Sequence, residues 1–300
     1  MSTVSIRSCS HCGADARSYL RTRDLNQKVS REWFEYFRCE RCALIFLAPI
    51  PHDLERYYPD GYYLIPESVS QLAAWAERER YKLEIVQRFS QGERLLELGP
   101  AWGSFALLAK RAGFKVQVIE MSQACCEFLS RKVGIEVVSG ADEIDALQRA
   151  QDADVITLWQ VIEHLRDPWA VLRAAAAKLR AGGVLVIASP NPEALQLRLL
   201  GRYWLHIDAP RHLYLIPRAL LVADALALGL VPVLETTTDK GSLGFNLIGW
   251  VGMANRLNHR VVRFVARVIG RAIAALLWPV ESVEGRGSTY TLLLRRKNRT

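Results

Sequence analysis

The chain has 300 residues, half of them hydrophobic and 23% charged, with a formal net charge of +8 at pH 7. This composition supports a large buried core and excludes a disordered or fibrous chain. The basic charge is compatible with an anionic substrate, a nucleic acid or a membrane surface. Residues 1–13 are polar, and no apolar run approaches the roughly 20 residues of a membrane span. We therefore expect neither a secretory signal nor a transmembrane helix, and the six cysteines then indicate a reducing, cytoplasmic compartment.

The first 66 residues are rich in cysteine, aromatic residues and arginine and are predicted to form a zinc ribbon. Two Cys-x-x-Cys pairs, Cys9 with Cys12 and Cys39 with Cys42, flank a predicted strand at residues 33–37. Four thiolates presented by two tight turns are typical of tetrahedral zinc, and a site with four protein ligands is structural. The alternative is a pair of redox-active dithiols, but no thioredoxin-like strand–helix–strand unit surrounds them.

The rest of the chain is predicted to be mostly α/β. A helix is predicted over residues 68–89, and a parallel sheet with helices on both faces is predicted from the alternation that follows. Its strands are residues 93–98, 115–120, 135–139, 154–159 and 183–189, and its helices are residues 103–112, 122–133, 143–150 and 168–180. Later elements are a helix near 217–229, a strand at 231–238, an apolar and basic insert, and a strand at 288–295. The predicted segments are the ribbon with an aromatic linker (1–66), the sheet domain (67–240), the insert (241–287) and the last strand with a basic tail (288–300).

A glycine-bearing turn follows the first strand of the sheet domain. The apolar strand at 93–98 runs into Gly99, Ala101 and Gly103, and a helix begins there. At such a turn, backbone amides and a helix N-terminus can meet a ligand at the carboxyl edge of the sheet. The next strand ends in Glu120, where a carboxylate can accept hydrogen bonds from both hydroxyls of an adenosine ribose. The combination predicts a nucleoside cofactor.

Three segments resemble class I S-adenosylmethionine (SAM) dependent methyltransferases. Residues 97–103 resemble motif I of that family, an acidic residue followed by G-x-G-x-G. Residues 154–168, which end in E-H-L-R-D-P, resemble its fourth strand and the segment after it, and residues 179–187 resemble its L-x-x-G-G-x-L fifth strand. With the cysteine quartet and residues 208–213, the chain resembles the zinc-ribbon-bearing branch that includes sugar C-methyltransferases. The resemblance implies a Rossmann-like methyltransferase sheet and SAM as the cofactor.

The same resemblance assigns the cofactor site. It would consist of Glu97, Gly99, Ala101 and Gly103 at the methionine end, Glu120 at the ribose, Met121, Ala141 and Asp142 around the adenine, and Gln160 beside the sulfonium. One departure is Ala101, which replaces the middle glycine of the motif. Because alanine is small and Pro100 favours a compatible extended turn, we expect weakened binding rather than its loss.

A methyltransferase of this kind has to place a nucleophile in line with the activated S–CH₃ bond and exclude water. A hydroxyl or an acidic C–H nucleophile also needs a base. The candidates are His212, His164 and His206, in that order of preference. Asp208 lies between two of them and is placed to orient an imidazole. The structural alternative for each histidine is that it only pins its turn. Arg211 is assigned either to an anionic group of the substrate or to the surface.

The insert before the last strand has an unusual charge pattern. Between Lys240 and Val280 there is no Asp or Glu, and the arginines recur at Arg256, Arg260, Arg263, Arg267 and Arg271. Their spacing places them on one helical face, with apolar residues largely on the other. Three interpretations stay open: a helix packed on its own domain with a basic solvent face, a membrane or lipid contact through residues 256–271, and a nucleic-acid contact.

We therefore predict a SAM-dependent methyltransferase of a small molecule, with a histidine base and a sugar or glycan precursor as the acceptor. The alternative within this chemistry is a lipid-linked or quinone-like acceptor, methylated by a cytoplasmic enzyme that is peripheral to the inner membrane. An alternative of another class is a nucleic-acid-binding zinc-ribbon protein or an RNA methyltransferase; the acids interleaved with the basic residues of the ribbon argue against it. A non-catalytic partner subunit is disfavoured because the acidic and histidine residues are intact. The acceptor atom and the oligomeric state are left open.

Overall fold

The computed structural model describes residues 6–59, 61–140 and 142–298. They group into two compact units. Unit 1 comprises Met1–Pro59, Ser189–Leu221 and Thr236–Thr291, and unit 2 comprises Asp60–Ala188, Val222–Glu235 and Leu292–Thr300. This grouping differs from the predicted segments because the loop after the fifth strand and the insert cluster with the ribbon.

The described residues form twelve strands and ten α-helices. The strands are β1 (Ile6–Ser8), β2 (Asp15–Thr22), β3 (Phe34–Cys39), β4 (Ile45–Leu47), β5 (Arg94–Leu98), β6 (Lys115–Glu120), β7 (Glu136–Ser139), β8 (Ala153–Trp159), β9 (Leu179–Pro190), β10 (Tyr214–Leu215), β11 (Leu230–Thr236) and β12 (Thr289–Arg296). The α-helices are α1 (Val69–Ala76), α2 (Arg80–Phe89), α3 (Ser104–Arg111), α4 (Gln123–Glu127), α5 (Glu143–Arg149), α6 (Pro168–Lys178), α7 (Leu195–Leu200), α8 (Arg218–Ala227), α9 (Lys240–Gly252) and α10 (Arg260–Glu281). Within the described residues, no helix combines the length and the apolar character that crossing a bilayer requires.

Unit 2 carries most of the seven-stranded sheet, in the order β11-β12-β9-β8-β5-β6-β7. Strands β5, β6, β7, β8 and β9 pair in parallel. The chain proceeds outward from β5 through β6 to β7 and then returns to β8 on the other side of β5, which creates the topological switch point where such sheets bind ligands. The predicted Rossmann-like α/β fold is confirmed.

The core of unit 2 explains why these segments fold as they do. Alternate apolar residues of β5 and β8, such as Leu95 and Val155, pack with Phe105 of α3 in one buried cluster. A second cluster joins Leu107 of α3 to Val118 of β6. Helix α3 is buried nearly all round, as expected of a helix beside a parallel sheet. The sheet edge that carries the candidate site therefore rests on rigid elements.

Some element boundaries differ from the prediction. Strand β9 begins at Leu179 rather than at residue 183, so α6 ends two residues early at Lys178. The predicted helix at 122–133 is α-helical only to Glu127 and continues as a π-helical segment to Val133. A short 3₁₀ turn, Glu77–Glu79, separates α1 from α2 within the predicted helix at 68–89. The spacing of hydrophobic residues predicts where a helix lies, but tertiary packing decides such local turns and element ends.

Unit 1 is built on an antiparallel sheet in the order β1-β2-β3-β4-β10. Strand β10 pairs with β4 although about 170 residues separate them in sequence, with Tyr214 opposite Phe46. The sequence analysis predicted only β3 of this sheet. This pairing is the reason why the loop after β9 belongs to unit 1.

A buried arginine organises the core of unit 1. Arg211 is 1% exposed and forms ion pairs with Asp24 at 2.6 Å and Asp208 at 2.7 Å. Its Nη1 also donates to the carbonyl of Tyr57 at 2.9 Å. Both predicted assignments of Arg211, to the surface and to an anionic substrate group, are therefore wrong: the guanidinium is used inside the fold.

The buried ion pairs of Arg211 make a stability prediction. Arg211→Met leaves the carboxylates of Asp24 and Asp208 buried without their cation, so we expect the free energy of unfolding to fall by on the order of 3–5 kcal/mol. Arg56→Met is the matched control, because Arg56 forms an exposed pair with Glu32. Thermal and urea unfolding should show little change for the control. An equal loss of unfolding free energy in the two variants would contradict a stabilising role for the buried ion pairs of Arg211.

Candidate active site

Glu97 places a buried carboxylate at the carboxyl edge of the sheet. It is the penultimate residue of β5, is 3% exposed, and its Oε2 has no hydrogen-bond partner among the described residues. Burial raises the pKa of Glu97 to about 8, opposed by the ammonium group of Lys82 and reinforced by the carboxylates of Glu79 and Glu120. A cationic ligand group would satisfy the open oxygen and favour the ionised form.

A lysine and a second acid modulate Glu97 without being part of its motif. The Nζ of Lys82 on α2 lies 2.6 Å from Oε2 of Glu79 and 5.2 Å from the ring centre of Trp159. Burial lowers the pKa of Lys82, but Glu79, Tyr81 and Glu97 together outweigh this effect, and the pKa is raised. The sequence analysis missed both residues because α2 carries no sequence motif of the family.

The turn between β5 and α3 adopts left-handed backbone conformations. The φ angles are +62° at Gly99, +51° at Ala101 and +85° at Gly103. A Cβ on Gly103 would lie 2.3 Å from Cδ2 of Leu129, which would have to shift, and its φ is one that side-chain-bearing residues rarely adopt. The expectation of an extended turn is wrong at Ala101, since its left-handed backbone directs its N–H to Oε2 of Glu120 at 3.0 Å. Alanine bears a steric cost in this conformation that glycine does not.

Glu120 is oriented by backbone amides. Its carboxylate accepts hydrogen bonds from the N–H groups of Ala101, Met121 at 2.9 Å and Ser122 at 2.8 Å. Burial raises the pKa of Glu120, and these amides oppose the shift. A carboxylate offers about four acceptor positions. Backbone N–H groups use three of them here, and Oε2 keeps an acceptor position for a ribose hydroxyl.

The remaining predicted cofactor residues vary in their surroundings. Met121 is half-exposed next to Glu120, as a residue bordering a base would be. Asp142 caps α5 by accepting from the N–H groups of Ile144 and Asp145, both at 2.8 Å. Gln160 follows β8 with φ +57°, and its N–H donates to the carbonyl of Ala188. Ala141 lies outside the described residues.

An aromatic residue that was not singled out for the cofactor also reaches this edge. Tyr63 is close enough to Glu120 for that carboxylate to reinforce the effect of burial in raising the pKa of the phenol. Its ring stands edge-on to Tyr62, with 5.0 Å between the ring centres. Tyr57, from the same aromatic linker, is instead buried and belongs to unit 1.

Together these residues fit SAM on their own chemistry. The open oxygen of Glu97 would accept from the ammonium of the methionine part, and Glu120 would accept from the ribose. When bound, SAM would supply a methyl group already activated by the sulfonium.

The candidate bases differ in their environments. His164 is half-buried in the turn Ile162–His164 after β8, where its N–H donates to the carbonyl of Val161. His206 is buried between the rings of Trp204 and Phe245, with centre distances of 5.0 and 5.5 Å. Burial lowers the pKa of His206 to about 4, so its imidazole is neutral at pH 7. His164 belongs to unit 2 with the cofactor carboxylates, whereas His206 belongs to unit 1.

His212 also belongs to unit 1 and is held by the backbone. Its Nδ1 lies 2.9 Å from the carbonyl oxygen of His206. A carbonyl only accepts, so Nδ1 carries the proton and Nε2 keeps the lone pair. Burial lowers the pKa of His212 to about 4. The carboxylate of Asp208 accepts from Arg211 and Asn26, which differs from its predicted use in orienting an imidazole.

The four predicted metal ligands come together in unit 1. Their Sγ atoms all lie within 4.8 Å of one another, with 3.7 Å between Cys9 and Cys42 and 3.5 Å between Cys12 and Cys39. Zinc–sulfur bonds of about 2.3 Å in a tetrahedron place sulfurs about 3.8 Å apart, close to these distances. Burial by itself raises the pKa of Cys39. Hydrogen bonds from the backbone N–H groups of Cys42 and Arg41 outweigh this effect, and the pKa falls to about 7.

The two cysteine turns have matching backbones, which explains the arrangement. Residues Gly13 and Ala43, each directly after the second cysteine of a pair, have φ values of +70° and +58°. Each donates its N–H to the carbonyl of the first cysteine of that pair, Cys9 or Cys39. This repeat presents two sulfurs from each turn, as zinc knuckles do.

Comparison with known proteins agrees with this geometry. Residues 74–235, more than half of the chain, match the family described as methyltransferase domain. The chain belongs to this family. Its class I SAM-dependent methyltransferase architecture, predicted from the sequence, is thereby confirmed.

Similar proteins extend the comparison. A ubiquinone biosynthesis O-methyltransferase from Aeromonas salmonicida (strain A449) is 30% identical over 127 residues, which are 40% of this chain and 53% of that protein. A SAM-dependent methyltransferase from Archaeoglobus fulgidus has a similar fold, with a TM-score of 0.50, 18% identity, and coverage of 73% of this chain and 92% of that one. So does geranyl diphosphate C-methyltransferase from Streptomyces coelicolor A3(2) in complex with S-adenosyl-L-homocysteine, with a TM-score of 0.50, 14% identity, and coverage of 73% and 76%. The chain spans about half the length of most of the curated relatives it matches, and 68% of one from Bordetella avium.

The buried position of Glu97 predicts pH-dependent cofactor binding. Because the folded pKa is raised from 4.5 to about 8, the ligand-free carboxyl is mostly protonated at pH 7 and must ionise to pair with an ammonium. We expect the affinity for S-adenosylhomocysteine, measured by calorimetry, to rise between about pH 6 and pH 8 with proton release on binding. Glu97→Gln should lower the affinity by about 10- to 100-fold and abolish this dependence.

The same shift has a consequence for stability. In the ligand-free protein the unfolded chain ionises at a lower pH than the folded one, so the contribution of Glu97 to stability is present at low pH and is lost as the pH rises through about 8. Glu97→Gln should remove this loss. Glu127→Gln, at an exposed position of α4, is the control for both measurements and should behave like the unchanged protein. An unchanged affinity for the Glu97 variant would remove the residue from the site.

Proposed function

We propose that this methyltransferase transfers the methyl group of SAM to a phenolic hydroxyl oxygen of a small, quinone-type aromatic acceptor. The cofactor part is carried by Glu97 and Glu120, two buried carboxylates on neighbouring parallel strands, of which Glu97 keeps an open oxygen. The acceptor part is supported by curated relatives named ubiquinone biosynthesis O-methyltransferases. These relatives favour the quinone-like alternative over the sugar or glycan precursor that the sequence analysis placed first.

The proposed reaction balances without a further reactant. The phenolic oxygen forms a bond to the methyl carbon while the S–CH₃ bond breaks, and the hydroxyl proton passes to a base. S-adenosylhomocysteine leaves with the electron pair on sulfur. In this scheme Glu97 anchors the ammonium end of the cofactor and Glu120 its ribose, so that rotation and translation of the methyl donor are restricted before the reaction.

We propose His164 as the base. It is half-buried and follows β8, as Gln160 does, whose N–H donates to the carbonyl of Ala188 on β9. His212 is the second candidate because its Nε2 carries the lone pair, although burial makes that imidazole a weak base. His206 is least suited, since its ring is enclosed by aromatic side chains.

The acceptor class is tested with methyl-labelled SAM. The purified protein is incubated with an alkyl-substituted catechol or, separately, with a panel of nucleotide sugars, and the label is followed by organic–aqueous partition. We expect label in the catechol methyl ether and none in the sugars. His164→Gln should lower kcat by about 100-fold or more with little change in KM, while retaining affinity for S-adenosylhomocysteine.

Each outcome of this assay has a defined meaning. Label in a nucleotide sugar and none in the catechol would overturn the phenolic acceptor. A normal rate for His164→Gln together with a large loss for His212→Gln would transfer the role of base to His212. Glu84→Gln on α2, an exposed acid away from the motif, serves as the unaffected control.

We also propose that the cysteine quartet binds one structural zinc ion. The sulfur distances and the matched turns support this proposal. Because four protein sulfurs complete a tetrahedron, the ion would stabilise unit 1 and take no part in methyl transfer.

Zinc analysis provides the corresponding prediction. Elemental analysis should find one zinc per chain in the native protein and almost none in Cys42→Ser, with a melting temperature lower by several degrees. Cys126→Ser is the matched control, since Cys126 lies on α4 outside the quartet. Zinc retained in Cys42→Ser would contradict a four-cysteine site. So would a native protein that contains no zinc.

A further inference from the structure

Helix α10 exposes an apolar face that the sequence analysis left with three interpretations. Phe264 is 67% and Leu276 78% exposed. Other exposed apolar side chains of the helix are Val261, Val262, Val265, Val268 and Ile269. A helix packed on its own domain would bury these side chains and expose its polar ones. Helix α10 does pack on its own unit, through Gly270 and Ala274, but these apolar side chains are not part of the packed face.

The face that α10 does bury lies on the other side and consists of small residues. Gly270 and Ala274 are buried. A Cβ on Gly270 would lie 2.8 Å from the carbonyl oxygen of Trp250 on α9, so the two helix backbones come into close approach there. Near the end of α10, Glu281 accepts from Nε1 of Trp250 at 3.0 Å. These contacts fix how α10 is rotated about its axis.

The rotation places the apolar side chains away from α9. At about 100° per residue, Val261, Val265 and Val268 project roughly opposite to Gly270 and Ala274, and Phe264 projects at about a right angle to them. The exposed apolar face thus points out of unit 1. It is a continuous strip along the helix rather than scattered single residues, and large exposed apolar strips mark interaction surfaces.

An arginine stripe borders this strip. Arg260, Arg267 and Arg271 lie on the flank between the apolar face and the packed face, and Arg263, which is half-buried, lies on the same side as Gly270 and Ala274. Arg256, which the sequence analysis grouped with them, is instead used internally, donating to Oδ1 of Asn26 and to the carbonyl of Tyr203. No Asp or Glu occurs between Lys240 and Val280. The positive charge of this flank is therefore not offset by acidic residues of the same segment.

From this geometry we propose that α10 lies in the surface of an anionic lipid bilayer. The apolar strip would enter the boundary between headgroups and acyl chains, while the arginines meet anionic headgroups. Trp278, which is 47% exposed near the end of the helix, has the amphipathic ring that favours this boundary. A nucleic acid would use the arginines but would leave the apolar strip in water. This surface proposal does not depend on the identity of the methyl acceptor.

Sedimentation with vesicles tests the proposal on the full chain. Vesicles of phosphatidylcholine mixed with phosphatidylglycerol are compared with vesicles of phosphatidylcholine alone. We expect strong binding to the first and weak binding to the second, with a decrease at high salt. The triple variant R260E/R263E/R267E should lower the partition coefficient by on the order of 100-fold or more, because each arginine near anionic headgroups contributes about 1 kcal/mol.

A second variant tests the apolar strip. F264S/V268S keeps all the arginines and should lower the partition coefficient by on the order of 10-fold or more. Each variant has a control of the same chemistry at exposed positions elsewhere. These are R78E/R131E/R173E for the charge change and L199S/L226S for the apolar change, and both should bind like the native protein. Circular dichroism and unfolding curves check that every variant is folded.

Three outcomes would overturn the proposal. The first is no sedimentation of the native protein with anionic vesicles. The second is loss of binding in the arginine variant alone, with F264S/V268S unchanged, which would indicate a purely electrostatic surface such as one for nucleic acid. The third is a stable dimer in analytical ultracentrifugation that F264S/V268S converts to a monomer, which would assign the strip to a second copy of the chain.

Discussion

Two carboxylates that the sheet forces into a buried edge govern the methyltransferase unit. Parallel pairing of β5 with β6 aligns Glu97 and Glu120 near the ends of neighbouring strands, where water is excluded. A buried charge has to be compensated. Backbone amides compensate Glu120, and the left-handed backbone at Ala101 supplies one of them. Glu97 keeps an oxygen without such a partner, which is why it is suited to a cationic part of the cofactor.

In unit 1, by contrast, the buried charged side chains pair with one another. Arg211 is paired with Asp24 and Asp208, and burial keeps the imidazoles of His206 and His212 neutral. Paired groups of this kind stabilise a specific packing and leave little capacity for a ligand. Residues that look equally catalytic in sequence therefore separate into those that hold the fold together and those that keep an unused atom for chemistry.

The same distinction applies to the surface. Arginines of α10 flank an apolar strip that is exposed to solvent. The opposite face of the same helix packs closely, since Gly270 lies against the backbone of Trp250. In the isolated chain, the strip leaves apolar side chains in contact with water, and Glu97 leaves a buried carboxylate oxygen without a hydrogen bond. Both features cost free energy. Each cost would be removed by a ligand, a bilayer in one case and SAM in the other.

The sequence by itself determined what depends on local pattern. The alternation of apolar strands and helices predicted the sheet, the two cysteine pairs predicted the quartet, and the acidic residue before the glycine turn predicted the cofactor edge. Tertiary structure decided what depends on partners distant in sequence. Pairing of β10 with β4 placed residues 208–215 in unit 1, Asp24 buried Arg211, and the close approach at Gly270 set the direction of the apolar face of α10. Hydrophobic period shows that a helix has two faces, but only packing decides which of them is turned to solvent.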